Sequence, residues 1–295
     1  MRMLRVLGLA LGALIALFVL AVAGVLASGY LVATAQHPNP VRDLHVVADK
    51  AAIARGFHLA ELQCAGCHSA DGEPPLSGGR DDYFAEPGGP PFGHLVAPNL
   101  TAGGLLAQYS DGELARAIRE GVARDGRGLL VMPSKGFHDL SDSDLAAIIA
   151  CMRSQPAVTH ATPPRGLSPV AYLALGLRMM APSTTPAITA PVADVPPDTT
   201  AGYGSYMVKY LGCADCHGAD LHGGRKGQFE PLGPNLVEIA SHADRPAFER
   251  AVRAGVSTKD GHALDPAQMP WTSFRHLDPT EVAAVQNYLK SLAKP

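Results

Sequence analysis

Cys64-Ala65-Gly66-Cys67-His68 and Cys213-Ala214-Asp215-Cys216-His217 are two copies of one pattern, Cys-x-x-Cys-His. The spacing is that of covalent c-type haem attachment. Each thiol can form a thioether to a haem vinyl group, and the adjoining histidine can ligate the iron. The two copies use four of the chain's five cysteines, which makes coincidence a poor account. A zinc site built from the same cysteines and histidines is the competing reading. A second iron-ligand candidate behind each motif favours haem.

That candidate is a methionine before a proline, Met132-Pro133 in the first half and Met269-Pro270 in the second. A thioether is a soft, neutral ligand. Opposite histidine it completes six-coordinate iron and raises the reduction potential. Most methionines only fill cores. Met152 lies on an apolar helical stripe, Met207 is too close before Cys213 to reach the opposite haem face, and Met179 and Met180 fall between the halves. Only Met132 and Met269 hold equivalent positions in both halves. The iron-ligating set is therefore read as His68, Met132, His217 and Met269, with His138 as the rival to Met132.

The halves are an internal repeat. Leu76-Ser77-Gly78-Gly79-Arg80 returns as Leu221-His222-Gly223-Gly224-Arg225, and Pro98-Asn99-Leu100 as Pro234-Asn235-Leu236. Ala117 to Val122 matches Ala251 to Val256, Phe137 matches Phe274, and Leu140 matches Leu277. The first copy carries extra Gly/Pro-rich residues between His68 and Pro98, including Tyr83 and Phe84. Such an insertion is expected on a surface loop.

Each half resembles a class I c-type cytochrome domain, and the whole resembles a membrane-anchored dihaem cytochrome c. The resemblance covers about residues 50–155 and 200–295. It implies two covalently bound haem c groups. In that family a proline carbonyl accepts a hydrogen bond from the free ring nitrogen of the haem-binding histidine, and Pro98 and Pro234 match that position. Such a bond fixes the tautomer and orientation of the ligand. Arg80 and Arg225 recur in register and are candidates for holding haem propionates, or solvated loop arginines.

The helical periodicity, with no window of strong strand alternation, predicts an all-α chain, and the resemblance implies two tandem cytochrome c domains behind an N-terminal transmembrane helix. Helices are expected at about Asp49–Leu62, Ser110–Glu120, Ala201–Leu211 and Pro246–Ala254. A last helix in each half should open at Ser141 and at Asp278. Ser110-Asp111-Gly112-Glu113 reads as a capping box, and Asp278-Pro279-Thr280-Glu281 supplies an N-cap with proline in the first turn. The expected division is 1–35 anchor or signal peptide, 49–155 first domain, 156–200 Pro-rich linker, and 201–295 second domain. The odd cysteine, Cys151, aligns with Tyr288 on the inner side of the last helix and reads as a buried hydrophobe, with a redox thiol or intermolecular bridge as the rival.

From Val6 to Ala33 there is no charged residue. At ~1.5 Å per residue that is enough to cross a ~30 Å hydrocarbon core. Arg2 and Arg5 favour a cytoplasmic N-terminus. Ala33-Thr34-Ala35 also resembles a signal-peptide cleavage site. Either way the haem domains are exported, to the periplasmic side of a bacterial cytoplasmic membrane. The linker should be extended and semi-rigid. Its one apolar run, Val170 to Met180, is too short to span a bilayer. It is expected at the membrane surface, against a haem domain, or packed between the domains.

The formal net charge of −3 suggests no nucleic-acid surface. The expected function is electron transfer between redox protein donors and acceptors, with the haem carrying the redox event. A dihaem peroxidase would need one open iron position, against which the paired Met-Pro motifs speak. A permanent cytochrome subunit of a respiratory or dehydrogenase complex would use the same chemistry and stays open.

Overall fold

The computed structural model describes residues 2–80, 82–85, 89–224 and 232–293. It opens with a single long helix, α1 (Arg2–Thr34). The first half then holds α2 (Lys50–Gln63), α3 (Ala65–His68), α4 (Asp111–Glu120), α5 (Ser134–Phe137) and α6 (Asp142–Ser154). A short helix, α7 (Pro169–Gly176), lies between the halves. The second half holds α8 (Ala201–Tyr210), α9 (Cys213–His217), α10 (Leu236–His242), α11 (Arg245–Ala254), α12 (Trp271–Phe274) and α13 (Pro279–Leu292). Two-residue strands β1 (Gly93–His94) and β2 (Gly166–Leu167) pair antiparallel. The chain is all-α in class, as the periodicity predicts.

Local chemistry sets the helix ends. Asp49 accepts from the Ala52 N–H at 2.8 Å, and Asp244 from the Ala247 N–H at 2.8 Å. Ser110 with Glu113, and Asp278 with Glu281, form reciprocal capping boxes. Each satisfies two of the donors that a helix start leaves orphaned. The predicted boundaries differ by about one residue, because the cap itself stands just outside the helix.

In each half the first long helix crosses the last at a glycine. A Cβ on Gly56 would sit 1.8 Å from the Ala147 carbonyl oxygen, and one on Gly204 would sit 2.0 Å from that of Ala284. The backbones of α2 and α6, and of α8 and α13, therefore touch. Leu59, Leu62, Ile148 and Met152 close around the first crossing, and Tyr203, Met207, Val285 and Leu289 around the second. The same virtual Cβ atoms meet the Cβ of Cys151 at 2.9 Å and of Tyr288 at 2.7 Å. These two residues are thus structurally equivalent, and Cys151 is fully buried. Buried side chains of both halves form one continuous hydrophobic core.

The linker is extended, but it is fastened to the first half along its length. Asn99 donates to the Val158 carbonyl at 2.8 Å and its N–H reaches Thr162 at 3.0 Å. Ser183 N–H donates to the Leu129 carbonyl at 2.7 Å, and its hydroxyl to that of Leu130 at 2.8 Å. Val192 N–H reaches Asp142 at 3.3 Å. The apolar run forms α7 and packs on the end of α1, not between the two halves.

Gly56→Val should press a branched side chain into backbone that cannot withdraw. We expect a loss of about 3 kcal/mol, the upper end of ordinary overpacking. The check is the thermal unfolding midpoint of the haem-loaded chain. Gly202→Ala is the control, since its Cβ would meet only the Thr200 hydroxyl, at 3.5 Å.

Candidate functional site

Each motif is held as a short helical turn at the end of a long helix. Cys64 still bonds back to α2, its N–H donating to the Ala60 carbonyl at 2.8 Å, and Cys67 and His68 follow in α3. Cys213, Cys216 and His217 make up α9 with their neighbours.

The two histidines are pinned alike. Nδ1 of His68 lies 2.9 Å from the Pro98 carbonyl oxygen, and Nδ1 of His217 lies 2.7 Å from that of Pro234. A carbonyl only accepts, so each Nδ1 carries the proton and each Nε2 keeps its lone pair. Both rings are buried, and burial lowers their pKa below the ordinary histidine value, against the opposing pull of the proline carbonyls. They stay neutral, as a metal-ligating imidazole must.

The recurrent Gly-Gly explains how the proline reaches its place. Gly78 N–H donates to the His68 carbonyl at 2.8 Å, and Gly223 N–H to the His217 carbonyl at 2.8 Å. Both glycines sit at positive φ, +107° and +114°, a region L side chains avoid. Leu100 then bonds to Leu76 at 2.8 Å, and Leu236 to Leu221 at 2.9 Å. These bonds carry each proline back beside its histidine.

The Met-Pro turns also match. Pro133 has φ −79° and ψ 50°, and Pro270 has φ −78° and ψ 50°. Ser134 N–H bonds to the Met132 carbonyl at 2.8 Å, and Trp271 N–H to that of Met269 at 2.7 Å. In the first half, His68 and Met132 both line an apolar cavity with Cys64, Cys67, Pro98, Leu114, Ile118, Phe137 and Ile148. His138 does not line it, whereas Met152 forms part of its wall. In the second half Met269 and Cys213 are half-buried against the shared core.

This donor set fits a haem. It offers a neutral nitrogen lone pair, a thioether and two thiols around an apolar space. Among the described residues, neither motif gathers three or more ligand atoms as a zinc site would. Arg80 is exposed just past the Gly-Gly turn. Arg225 lies outside the described residues.

Two cavity residues escaped the sequence reading. Tyr83, from the insertion, lines the cavity and donates its hydroxyl to Cys67 Sγ. Tyr210 comes from the other half. It lines the same cavity, stands 5.4 Å from Phe137 ring to ring, and donates to the Leu59 carbonyl at 2.7 Å. Burial raises its pKa well above that of ordinary tyrosine, so the phenol keeps its proton.

The two sites are locked together through a network of buried charge. Asp144 and Glu281 occupy the same position in the first turn of α6 and α13. Arg55 bonds Asp144 at 2.8 Å and reaches Glu281 at 3.3 Å across the interface. Tyr206 of the second half donates to Asp144 at 2.7 Å, and His58 of the first half meets Glu281 at 2.9 Å. Around this network, α5 behind Met132 packs on α8, and α12 behind Met269 packs on α2. Each Met-Pro turn thus abuts the helix that leads into the other half's motif.

Fold and donor set together define a c-type cytochrome. A family model described as Cytochrome c matches residues 53–156 and again 202–293. The chain belongs to the cytochrome c family, and it is an electron-transfer protein that carries covalent haem c. It is 28% identical over 277 residues to the gluconate 2-dehydrogenase cytochrome c subunit of Pantoea cypripedii, covering 83% of this chain and 60% of that protein. It is 24% identical over 289 residues to the fructose dehydrogenase cytochrome subunit of Gluconobacter japonicus, covering 89% and 57%. It is also 28% identical over 265 residues to a nicotinate dehydrogenase subunit of Pseudomonas putida, covering 82% and 21%. The chain thus spans less than two thirds of the length of each of these relatives.

The interface should make stability depend on pH. The Glu281 hydrogen bond raises the pKa of His58 above its ordinary 6.5. Its contribution is complete below that value and is lost as pH rises through the raised folded-state pKa. Glu281 is held below its ordinary 4.5: burial favours the acid, but His58, the Asp278 N–H and Arg55 outweigh it. Its contribution is present above 4.5 and is lost as pH falls through the depressed folded-state pKa. His58→Ala should therefore lower the thermal midpoint below pH 6.5 and flatten its decline as pH rises above that value.

Proposed function

We propose that this chain carries two haem c groups, one per motif, and passes electrons between them as the cytochrome component of a membrane-bound dehydrogenase. The carrying observation is the duplicated site: two neutral histidines pinned by proline carbonyls, each with a Met-Pro turn of the same backbone conformation. On this reading Cys64, Cys67, Cys213 and Cys216 form the thioethers. His68 with Met132, and His217 with Met269, would supply the protein ligands that hold the two irons. Arg80 and Arg225 would hold propionates. The domains run over 49–155 and 201–295, joined by the linker 156–200.

Haem c supplies iron that cycles between two oxidation states. The protein's own residues do the rest. Pro98 and Pro234 hold the histidine tautomers. The apolar wall keeps water from the first site, and a thioether ligand favours the reduced state. Tyr210 and Phe137 fill the space between the first cavity and the helix that enters the second motif. The named relatives are subunits of dehydrogenases. That supports a dehydrogenase as donor, and the acceptor is a further redox partner.

Among the described residues α1 is long and apolar enough to cross a membrane. We read it as an uncleaved single-pass anchor, with Arg2 and Arg5 cytoplasmic and both haem domains periplasmic. The contacts at its C-terminal end support this reading. His37 N–H bonds to the Gly126 carbonyl at 2.9 Å, and Arg165 to the Ala33 carbonyl at 3.0 Å. The end of the helix is built into the first half.

Intact mass and haem-stained denaturing gels test the stoichiometry. We expect two covalent haems, and one when Cys64 and Cys67 are both replaced by serine. A gain of one haem in the unaltered chain would overturn the two-haem reading.

Ligation is tested by Met132→Ala and Met269→Ala. Each should remove about half of the near-infrared sulfur-to-iron band of the oxidised protein and lower one reduction potential. Ready binding of carbon monoxide by the unaltered protein would instead show an open iron, the condition for peroxidase chemistry.

A further inference from the structure

The segment Leu177–Met180 is the turn that follows α7 where that helix lies along α1, and nothing in the electron-transfer role accounts for it. A Cβ on Gly29 would sit 1.8 Å from the Tyr172 carbonyl oxygen, and one on Gly176 would sit 2.1 Å from that of Val25. The two helices cross in backbone contact through one glycine each, the close approach that small residues allow between membrane helices. Position 25 pairs with 176, and 29 with 172. The pairing is antiparallel, so α7 runs back along α1 toward the membrane.

Length arithmetic fixes how far it runs. Arg5 is the last charged residue before α1 becomes wholly apolar. A ~30 Å hydrocarbon core takes about twenty residues at ~1.5 Å each. With Arg5 at the inner boundary, the outer boundary falls beside Val25. That is the level of Gly176, where α7 ends.

Beyond it the chain turns sharply. Leu177 N–H bonds to Leu173 at 2.9 Å, Met179 N–H to Ala174 at 2.9 Å, and Arg178 takes φ +59°. Leu177 and Met179 are left 53% and 75% exposed. The opposite side of α7 is not free. Leu175 packs with Ala33 and Leu130, joined by Phe84, Leu95, Tyr172 and Met180. Phe84 and Leu95 come from the insertion that distinguishes the first half. Both the insertion and the linker therefore serve to fasten the α1–α7 pair to the first half.

We infer that Leu177 and Met179 dip into the outer leaflet beside α1, with Arg178 at headgroup level. The occupant of this apolar tip is lipid, because its exposed surface continues that of α1 at the depth where hydrocarbon ends. Arg178 between two apolar side chains suits an interfacial segment, with its stem in the apolar layer and its guanidinium among phosphates. The tip adds a second contact to the single span and fixes the height and tilt of the first domain against the bilayer.

The inference rests on α1 being retained as the anchor. The test uses the haem-loaded full chain in nanodiscs of phosphatidylethanolamine and phosphatidylglycerol. Intact mass first shows whether residues 1–35 are present. If they are lost, the anchor reading fails and this inference with it. Spin labels are then placed at Leu177→Cys and, separately, Met179→Cys. Asp194→Cys, on the exposed linker, is the aqueous reference. Cys151 is fully buried, and on the two-haem reading the other four cysteines are held in thioethers. We expect both tip labels to show a severalfold higher ratio of oxygen to nickel-chelate collision than the reference. A ratio equal to the reference would show a solvated tip and overturn the inference while the anchor stands. Shielding from both reagents would overturn it in favour of a protein partner or a second copy.

Discussion

A metal-binding imidazole must keep one nitrogen unprotonated and must not rotate. In each half a single hydrogen bond, from Nδ1 to a proline carbonyl, meets both needs. Much of the local sequence serves to deliver that carbonyl. The glycine at positive φ lets the chain double back onto the histidine's own carbonyl. The leucine pair then ties the returning strand beside it. Proline suits the position because the backbone there accepts and has no N–H left to satisfy. The glycine crossings do the corresponding work on the other side. They bring the first and last helices into backbone contact, and so set the direction in which each first helix delivers its motif.

Inside, the halves are near copies; outside, they differ, and the differences gather around α1. The first half alone has the long insertion, the fastened linker and the neighbourhood of α1. Ser183 of the linker grips Leu129 and Leu130, just before the Met132 turn, and Gly126 is gripped from the other side by His37. The corresponding residues of the second half, Gly261 to Gln268, are mostly exposed. One methionine turn is thus braced by the segments that join the first half to α1, whereas the loop leading to the other is mostly exposed. Exposed loops with few tertiary bonds open at lower free energy than braced ones. By that measure the loop before Met269, tied through Leu264 to Gly255 and Trp271, is the less braced of the two.

Much of this was legible in the residues. Cap positions, the glycine stops, the Met-Pro pair and the equivalence of Cys151 with Tyr288 all follow from patterns local to one helix or repeated in register. What escaped is non-local. Tyr210 reads as an ordinary residue on an apolar face, and only the packing of the halves brings it into the first cavity. Tyr83 sits in a Gly/Pro-rich stretch that composition assigns to solvent. The linker reads as an extended spacer because Pro and Thr are common in it. Most of its bonds to Asn99, Leu129 and Asp142 are made by its backbone groups, which carry no sequence label. The run Val170 to Met180 was readable as a short apolar helix. Its partner was not, because glycine-to-carbonyl contacts leave only a glycine behind in the sequence.

The charges at the interface explain why two domains act as one. Glu281 is almost wholly buried, and a carboxylate there is tolerable only because Arg55 and His58 of the other half face it. Separating the halves would expose it at little cost, but sliding them would strand it without partners, which is far worse than losing an exposed pair. Asp144, at the equivalent position, is tied in the same way by Tyr206. The two carboxylates converge on one side chain, Arg55, so a slide of one half along the other would break the Arg55–Glu281 and Tyr206–Asp144 pairs at once. The relative placement of the two motifs is therefore set by polar geometry. On the proposed two-haem reading, fixing that placement also fixes the distance an electron must cross between the motifs.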